Sequence, residues 1–359
     1  MRIVHVIGNR PQFIKLAVLL KALDHGNCKN TILHTGQHFD DNMSKIFFAE
    51  LAIPDPNYLL GINSLPHSQL IGQMLLGVDA VLEKEVPDCV LVYGDTNTTL
   101  AGALAAKKRN IPVIHVEAGI RTGNEEMPEE ANRYLADRIS SLNFCSTYLC
   151  AENLKKEGFE SQAIDSRVVN SGDLLLDACK TYGAQALNRG FQRQHINANQ
   201  NSVLATIHRA ENIDNKEKLR NIIQALNVIH ENTPVIFPMH PKTNRVIRHL
   251  GLEVRFHAIE AVGYLDNLSL IQQCSSVITD SGGLSREAFF FNKPVLVLME
   301  YPFWPEIFVH GNGLRSASVA VEIVQSHQRL LGQSIQNKVD IFGDGHAAEK
   351  IATEILKLS

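Results

Sequence analysis

Three acidic sites project from one edge of what reads as a parallel sheet, the edge at which such a sheet presents its chemistry. Asp95 follows Cys89–Tyr93 in Gly94-Asp95-Thr96-Asn97, and Glu117 closes His115-Val116-Glu117-Ala118-Gly119. Glu129 sits in the Pro128-Glu129-Glu130 corner. Carboxylates crowded into one pocket do not ionise alike, and that supplies an acid and a base from one residue type. Plainer readings stand beside this one. Asp95 suits the N-cap of a helix over Thr98–Lys108, and first-turn acids such as Glu129 are favoured by the helix dipole. Glu117 ends a buried strand, where a carboxylate needs a partner or a purpose.

A second set suits anions. Arg10 and Lys15 follow the first apolar run through the turn Gly8-Asn9-Arg10-Pro11. A helix opening there fits a phosphate or carboxylate; the plainer reading pairs Arg10 with an Asp and leaves Lys15 solvated. Thr279-Asp280-Ser281-Gly282-Gly283 opens another helix, whose free N–H groups fit a diphosphate. Glu287, one turn further, fits either a ribose diol or a surface pairing. His208, in Ile207-His208-Arg209, is either a packing and capping residue or a participant in chemistry. The chain has no G-x-G-x-x-G, no G-x-x-x-x-G-K-[ST] and no H-E-x-x-H. No cofactor and no required metal are therefore expected.

The elements that must position these residues alternate. Strand-like runs fall at Ile3–Ile7, Thr31–His34, Cys89–Tyr93, Val113–Val116 and Leu142–Cys145, with helical stretches between them. A second series comprises Val203–Ile207, Val235–Phe237, Val254–His257, Ser276–Thr279 and Val295–Leu298. The polar stretch Arg189–Ser202 marks a loop near its start, and Ala347–Leu358 reads as an amphipathic terminal helix. Short apolar strands alternating with helices predict parallel sheets covered on both faces. The fold class is α/β: two doubly wound, Rossmann-like domains with a cleft between them. Ligands of such sheets sit beyond the C-terminal strand ends, where the polar residues above lie.

Composition bounds the alternatives. The 359 residues hold 34 Lys and Arg against 38 Asp and Glu, a net charge of −4, which argues against nucleic acid as the main partner. The apolar share of 45% is that of a globular chain with material for two cores. No apolar run reaches the ~18 residues of a membrane span, and the N-terminus lacks a signal-peptide pattern. The six Cys form no C-x-x-C pair and read as reduced thiols of a cytoplasmic protein. Fifteen His in a chain with only six Cys is the anomaly: either histidine carries chemistry or it is scattered on the surface.

With these residues the chain resembles the non-hydrolysing UDP-N-acetylglucosamine 2-epimerase family. The matching segments are GNRPQFIK, HTGQHFDDNM, VYGDTNTTLAGALAA, HVEAGIRTGNEEMPEEANR, TIHRAEN, MHPKT and TDSGGLSREAFF. The resemblance implies a glycosyltransferase-B-like arrangement, with residues 1–167 plus 345–359 as the sugar domain and 168–344 as the UDP domain. It implies elimination of UDP to a 2-acetamidoglucal and re-addition to the opposite face, interconverting UDP-GlcNAc and UDP-ManNAc for surface polysaccharide. Asp95, Glu117 and Glu129 become the acid/base set, and His208 assists UDP departure. Arg10, Lys15, Ser281, Gly282, Gly283, Glu287 and Arg315 become UDP contacts. Gln37, His38, Arg209 and His240 fall on motifs near an effector site of some relatives. A homodimer is implied as well. Met299-Glu300-Tyr301-Pro302-Phe303-Trp304-Pro305-Glu306 departs from the Thr-Glu-Arg-Pro-Glu common in the family. Arg10-Pro11-Gln12-Phe13 and Gly263-Tyr264-Leu265-Asp266 look more like the subgroup acting on UDP-2,3-diacetamido-2,3-dideoxy-glucuronate. That sugar is the alternative substrate, and hydrolysis to UDP and free N-acetylmannosamine is the alternative outcome.

Overall fold

A computed structural model describes residues 1–24, 28–37, 45–161, 164–189, 201–309, 312–333 and 339–358. Two compact units emerge, residues 1–181 with 340–359 and residues 182–339. The first unit begins β1 (Arg2–Ile7), α1 (Arg10–Leu23), β2 (Lys29–His34), α2 (Lys45–Leu51), β3 (Tyr58–Leu59) and α3 (His67–Glu85). It continues β4 (Cys89–Tyr93), α4 (Asn97–Lys108), β5 (Val113–Ala118), α5 (Pro128–Ile139), β6 (Leu142–Cys145), α6 (Tyr148–Lys156), β7 (Arg167–Asn170) and α7 (Leu174–Arg189). Its strands form one seven-stranded sheet in the order β3-β2-β1-β4-β5-β6-β7. Because β7 pairs with β6, this sheet runs past the boundary expected at 167/168, and the division falls inside α7 instead.

The second unit comprises β8 (Val203–Thr206), α8 (Ala210–Ile213), α9 (Lys216–His230), β9 (Val235–Met239), α10 (Pro241–His249), β10 (His257–Glu260) and α11 (Tyr264–Gln273). It is completed by β11 (Ser276–Thr279), α12 (Gly282–Phe290), β12 (Val295–Val297), α13 (Glu306–Val309), β13 (Gly313–Arg315) and α14 (Ala320–Leu331). The chain ends in α15 (Ala347–Leu356), within the first unit. The second sheet has six strands, ordered β10-β9-β8-β11-β12-β13. All the strand pairings are parallel. Each sheet therefore reverses its winding once, between β1 and β4 in one unit and between β8 and β11 in the other. Crevices at such reversals are where doubly wound sheets hold ligands.

Most expected strands form within a residue or two of their runs. The run Val254–His257 does not: the ladder with β9 begins only at His257, opposite Ile236. Phe256 instead packs in the core against Phe237, ring centroids 5.5 Å apart. The polar stretch near residue 195 lies mostly outside the described residues.

Candidate functional site

At the first reversal, β1 and β4 run side by side with Val6 opposite Val92. Asn9 caps α1, forming a capping box with Gln12. The Gln12 amide also donates to Tyr93 O at 2.7 Å, while its oxygen accepts from Gly8 N at 2.7 Å. One buried glutamine thus ties the turn before Arg10 to the strand end before Asp95. Thr96, and not Asp95, caps α4, so the Asp95 carboxylate is available for another task. Arg133 of α5 supplies its partner, Nη2 and Nε reaching Asp95 Oδ2 at 2.6 and 3.0 Å. Arg133 also ion-pairs with Glu130, and both of these side chains are almost wholly buried. Glu130 in turn accepts from Thr122 N at 2.9 Å and Gly123 N at 3.1 Å, fixing the loop before α5.

Glu117 has an unusual backbone. Its φ is +72°, left-handed for a residue with a side chain, and the β5–β6 register shifts between Val116 and Ala118. Such bulges re-aim a side chain and cluster beside active sites. Here the carboxylate forms an ion pair with Lys15 of α1. Gly94, at φ +64°, leaves room for that pair: a Cβ there would lie 3.3 Å from Glu117 Oε2 and 3.8 Å from Lys15 Nζ. His115 stands behind it, Nε2 donating to Gly94 O at 2.6 Å and Nδ1 lying 2.7 Å from Asp137 Oδ1. Arg10 is largely buried, its guanidinium 5.3 Å from the Phe47 ring centroid, and burial lowers its pKa. Glu129 is half-buried in the first turn of α5, beside the inward-facing Glu130.

At the second reversal, Thr206 of β8 lies opposite Thr279 of β11. Asp280 follows, fully buried, and gathers the turn after β8. It accepts from His208 N at 3.1 Å, Arg209 N at 3.0 Å and Asn212 Nδ2 at 3.0 Å. The His208 ring is half exposed, with Nδ1 3.2 Å from Asp280 Oδ1. Burial alone would push the Asp280 carboxyl up, but the His208 charge and these hydrogen bonds hold it below the usual range. Ser281 caps α12, its Oγ accepting from Leu284 N at 3.3 Å. Glu287 is buried in α12 and accepts from Asn267 at 3.4 Å. The Phe303 ring presses on Gly282, where a Cβ would meet Cδ2 at 2.6 Å. The opposite departure residue, Trp304, carries the Arg286 guanidinium 4.1 Å from its ring centroid.

The remaining expected residues scatter. Arg315 is exposed and donates to Glu300 O at 2.9 Å. It lines a cleft of about 430 Å³ whose walls include Lys218, Glu300 and Ser316 but none of Ser281, Gly282 or Glu287. Gln37 accepts from Thr98 Oγ1 at 3.1 Å. Arg209 stacks 4.6 Å from the Phe303 centroid, and His240 caps α10, Nδ1 accepting from Lys242 N at 3.1 Å. His38 lies outside the described residues. Sequence reasoning missed Arg133, Asp137 and the holding role of Asp280. Only Asp280 carried a signal, being buried at a strand end beside the Ser-Gly-Gly turn. Among the described residues no group of three His, Cys, Asp or Glu is placed to hold a metal ion. Nor is any helix there long and apolar enough to cross a membrane.

Comparison with known proteins finds relatives along the whole chain and solved structures of the same fold. Residues 21–356 match the family model described as UDP-N-acetylglucosamine 2-epimerase. The chain is 44% identical, over the full length of both proteins, to UDP-2,3-diacetamido-2,3-dideoxy-D-glucuronate 2-epimerase of Pseudomonas aeruginosa. It is 37% identical to UDP-N-acetylglucosamine 2-epimerase of Methanocaldococcus jannaschii, covering 98% of each chain. The crystal structure of the M. jannaschii UDP-GlcNAc 2-epimerase in complex with UDP-GlcNAc and UDP superposes with a TM-score of 0.92 at 36% identity, covering all of both chains. The enzyme of Neisseria meningitidis bound to UDP-GlcNAc gives 0.90 at 29%, covering 99% of this chain and 100% of that one. A family model matched over nearly the whole chain, full-length relatives at 44% and 37% identity and a shared fold together place it: the chain belongs to the UDP-N-acetylglucosamine 2-epimerase family.

Proposed function

We propose that this protein inverts C2 of a UDP-activated 2-acetamido sugar by elimination and re-addition. The observation that carries the reading is the pair of carboxylates at the first sheet reversal, Asp95 pinned by Arg133 and Glu117 by Lys15. The C2–H is weakly acidic, so its removal must be coupled to breaking the C1–O bond. A carboxylate takes the C2 proton while UDP leaves with the C1–O electron pair, giving a 2-acetamidoglucal. UDP then re-adds to C1 as a proton is delivered to the other face of C2. Asp95, Glu117 and Glu129 form the acid/base set, and His208, held by Asp280, assists the departing diphosphate. Arg10 and the Ser281-Gly282-Gly283 turn receive UDP, with Glu287 on the ribose diol.

The substrate is UDP-GlcNAc, giving UDP-ManNAc as a surface polysaccharide precursor. A second reading, UDP-2,3-diacetamido-2,3-dideoxy-glucuronate, is favoured by the 44% full-length identity to an enzyme named for that sugar. The six free thiols, five of them buried, suit a cytoplasmic enzyme, and the family resemblance suits a homodimer.

Proton NMR of both candidate sugars in deuterated water tests the reading. Deuterium at C2 with UDP still attached is expected; free UDP with free sugar identifies a hydrolysing enzyme, and no exchange on either sugar overturns the proposal. Asp95→Asn, Glu117→Gln and Glu129→Gln should each cut turnover about 10²–10⁴-fold while UDP binding persists.

A further inference from the structure

The family resemblance implies Lys15 as a UDP contact. We propose instead that Lys15 is a positioning residue that sets the proton state and direction of the Glu117 carboxylate. The inference rests on the reading that Glu117 exchanges a proton with substrate. Lys15 sits in the interior of α1, with its side chain 3% exposed against 8% for Glu117. An ammonium this buried has lost its water, and an ion-pairing carboxylate replaces it. Both groups lie on the Gly94 turn that also carries Asp95.

The surrounding charges are already engaged with one another. From α5, Arg133 holds Asp95 and Glu130. Asp137 of the same helix engages His115 of β5 and, at 2.8 Å, Arg121. Arg121 also reaches Glu157 at 2.7 Å. Arg10, at the start of α1, stacks on Phe47. The left-handed backbone at Glu117 adds a directional element: it turns the side chain at the register shift, and Lys15 fixes where the turned carboxylate ends. A buried carboxylate that keeps its cation stays ionised, whereas one that loses it binds its proton more tightly.

The test is the pH profile of kcat/KM for the wild type, Lys15→Met and Lys15→Arg, with UDP affinity measured in parallel. In Lys15→Met one limb should move to higher pH by about one unit or more. Lys15→Arg should return it toward the wild-type position, and UDP affinity should change less than about twofold, since the cation is not spent on phosphate. An unmoved limb, or a loss of UDP affinity of about tenfold or more, overturns the proposal and returns Lys15 to the diphosphate. If Lys15→Met fails to fold, Lys15→Gln carries the same readout. Should the wild type show no C2 exchange, the epimerase reading fails by itself. The Lys15–Glu117 linkage is then read without turnover, by the ¹³C carboxyl titration of Glu117 in the wild type and in Lys15→Gln. The variant's midpoint should lie higher, and coincident midpoints overturn the linkage.

Discussion

Asp280 does the work of several residues from one buried position. Its two oxygens receive two backbone N–H groups and an amide from the turn that carries His208. Asn holds the same volume but no charge, and one of its faces donates instead of accepting. Asp280→Asn should therefore cost about 2 kcal/mol, by loss of charge-assisted hydrogen bonds. The pH dependence has a definite sign. The folded carboxyl lies below its unfolded value, so its stabilisation is complete above the unfolded pKa and fades as pH falls through the folded one. Urea melts between pH 7 and about pH 2, bracketing the ordinary Asp value, should show the wild type losing this increment and Asp280→Asn lacking it. Equal slopes in the two proteins would count against the assignment.

At the scale of elements, α12 begins where Phe303 closes on Gly282 and Arg209 stacks on Phe303. A methyl at 282 must displace that ring. Gly282→Ala should destabilise the protein by about 1–3 kcal/mol, as overpacking does, and weaken UDP. Gly283→Ala meets only Ser281 Oγ, at 3.8 Å, and should melt like the wild type. Thermal melts and UDP titrations of the two variants check this, and identical melts would remove Phe303 from the account. The same physics explains what was legible beforehand. Strands such as β1, β4, β5 and β11 are buried on both faces and read as apolar runs. The two-residue β3, the mixed Arg167–Asn170 and Gly313–Arg315, and the mostly exposed β10 carry no such run. Candidate site residues could be nominated from the sequence because a parallel sheet places polar residues of a ligand crevice at strand ends. Their holders could not: Arg133 meets Asp95 across 38 residues and Asp280 meets His208 across 72. Pairings that distant are written in the topology and leave no local spacing to read.

At the scale of the molecule, the first unit is discontinuous, because the chain returns to it after residue 339. The return is secured by α15, whose Ile351 and Ile355 are fully buried and which packs on α1. Asp177 of α7 caps it, accepting from Ala347 N at 3.2 Å and Ala348 N at 2.7 Å. Burial pushes this carboxyl up and the two backbone donors partly offset the rise, so the cap is a compromise between desolvation and the helix terminus. Helix α1 is also the helix that presents Arg10 and Lys15, so the last helix supports the first half of the site through the core. Ile351→Ala should cost about 2–5 kcal/mol as a core truncation, and Asp177→Ala about 1 kcal/mol as a lost cap. The loss should be confined to one unit. Hydrogen exchange should accelerate at β1 and β4 while amides of α9 and β9, in the core of the second unit, keep their protection. Uniform acceleration across both units would mean that the two unfold as one, and that α15 supports the whole chain instead of the unit it closes.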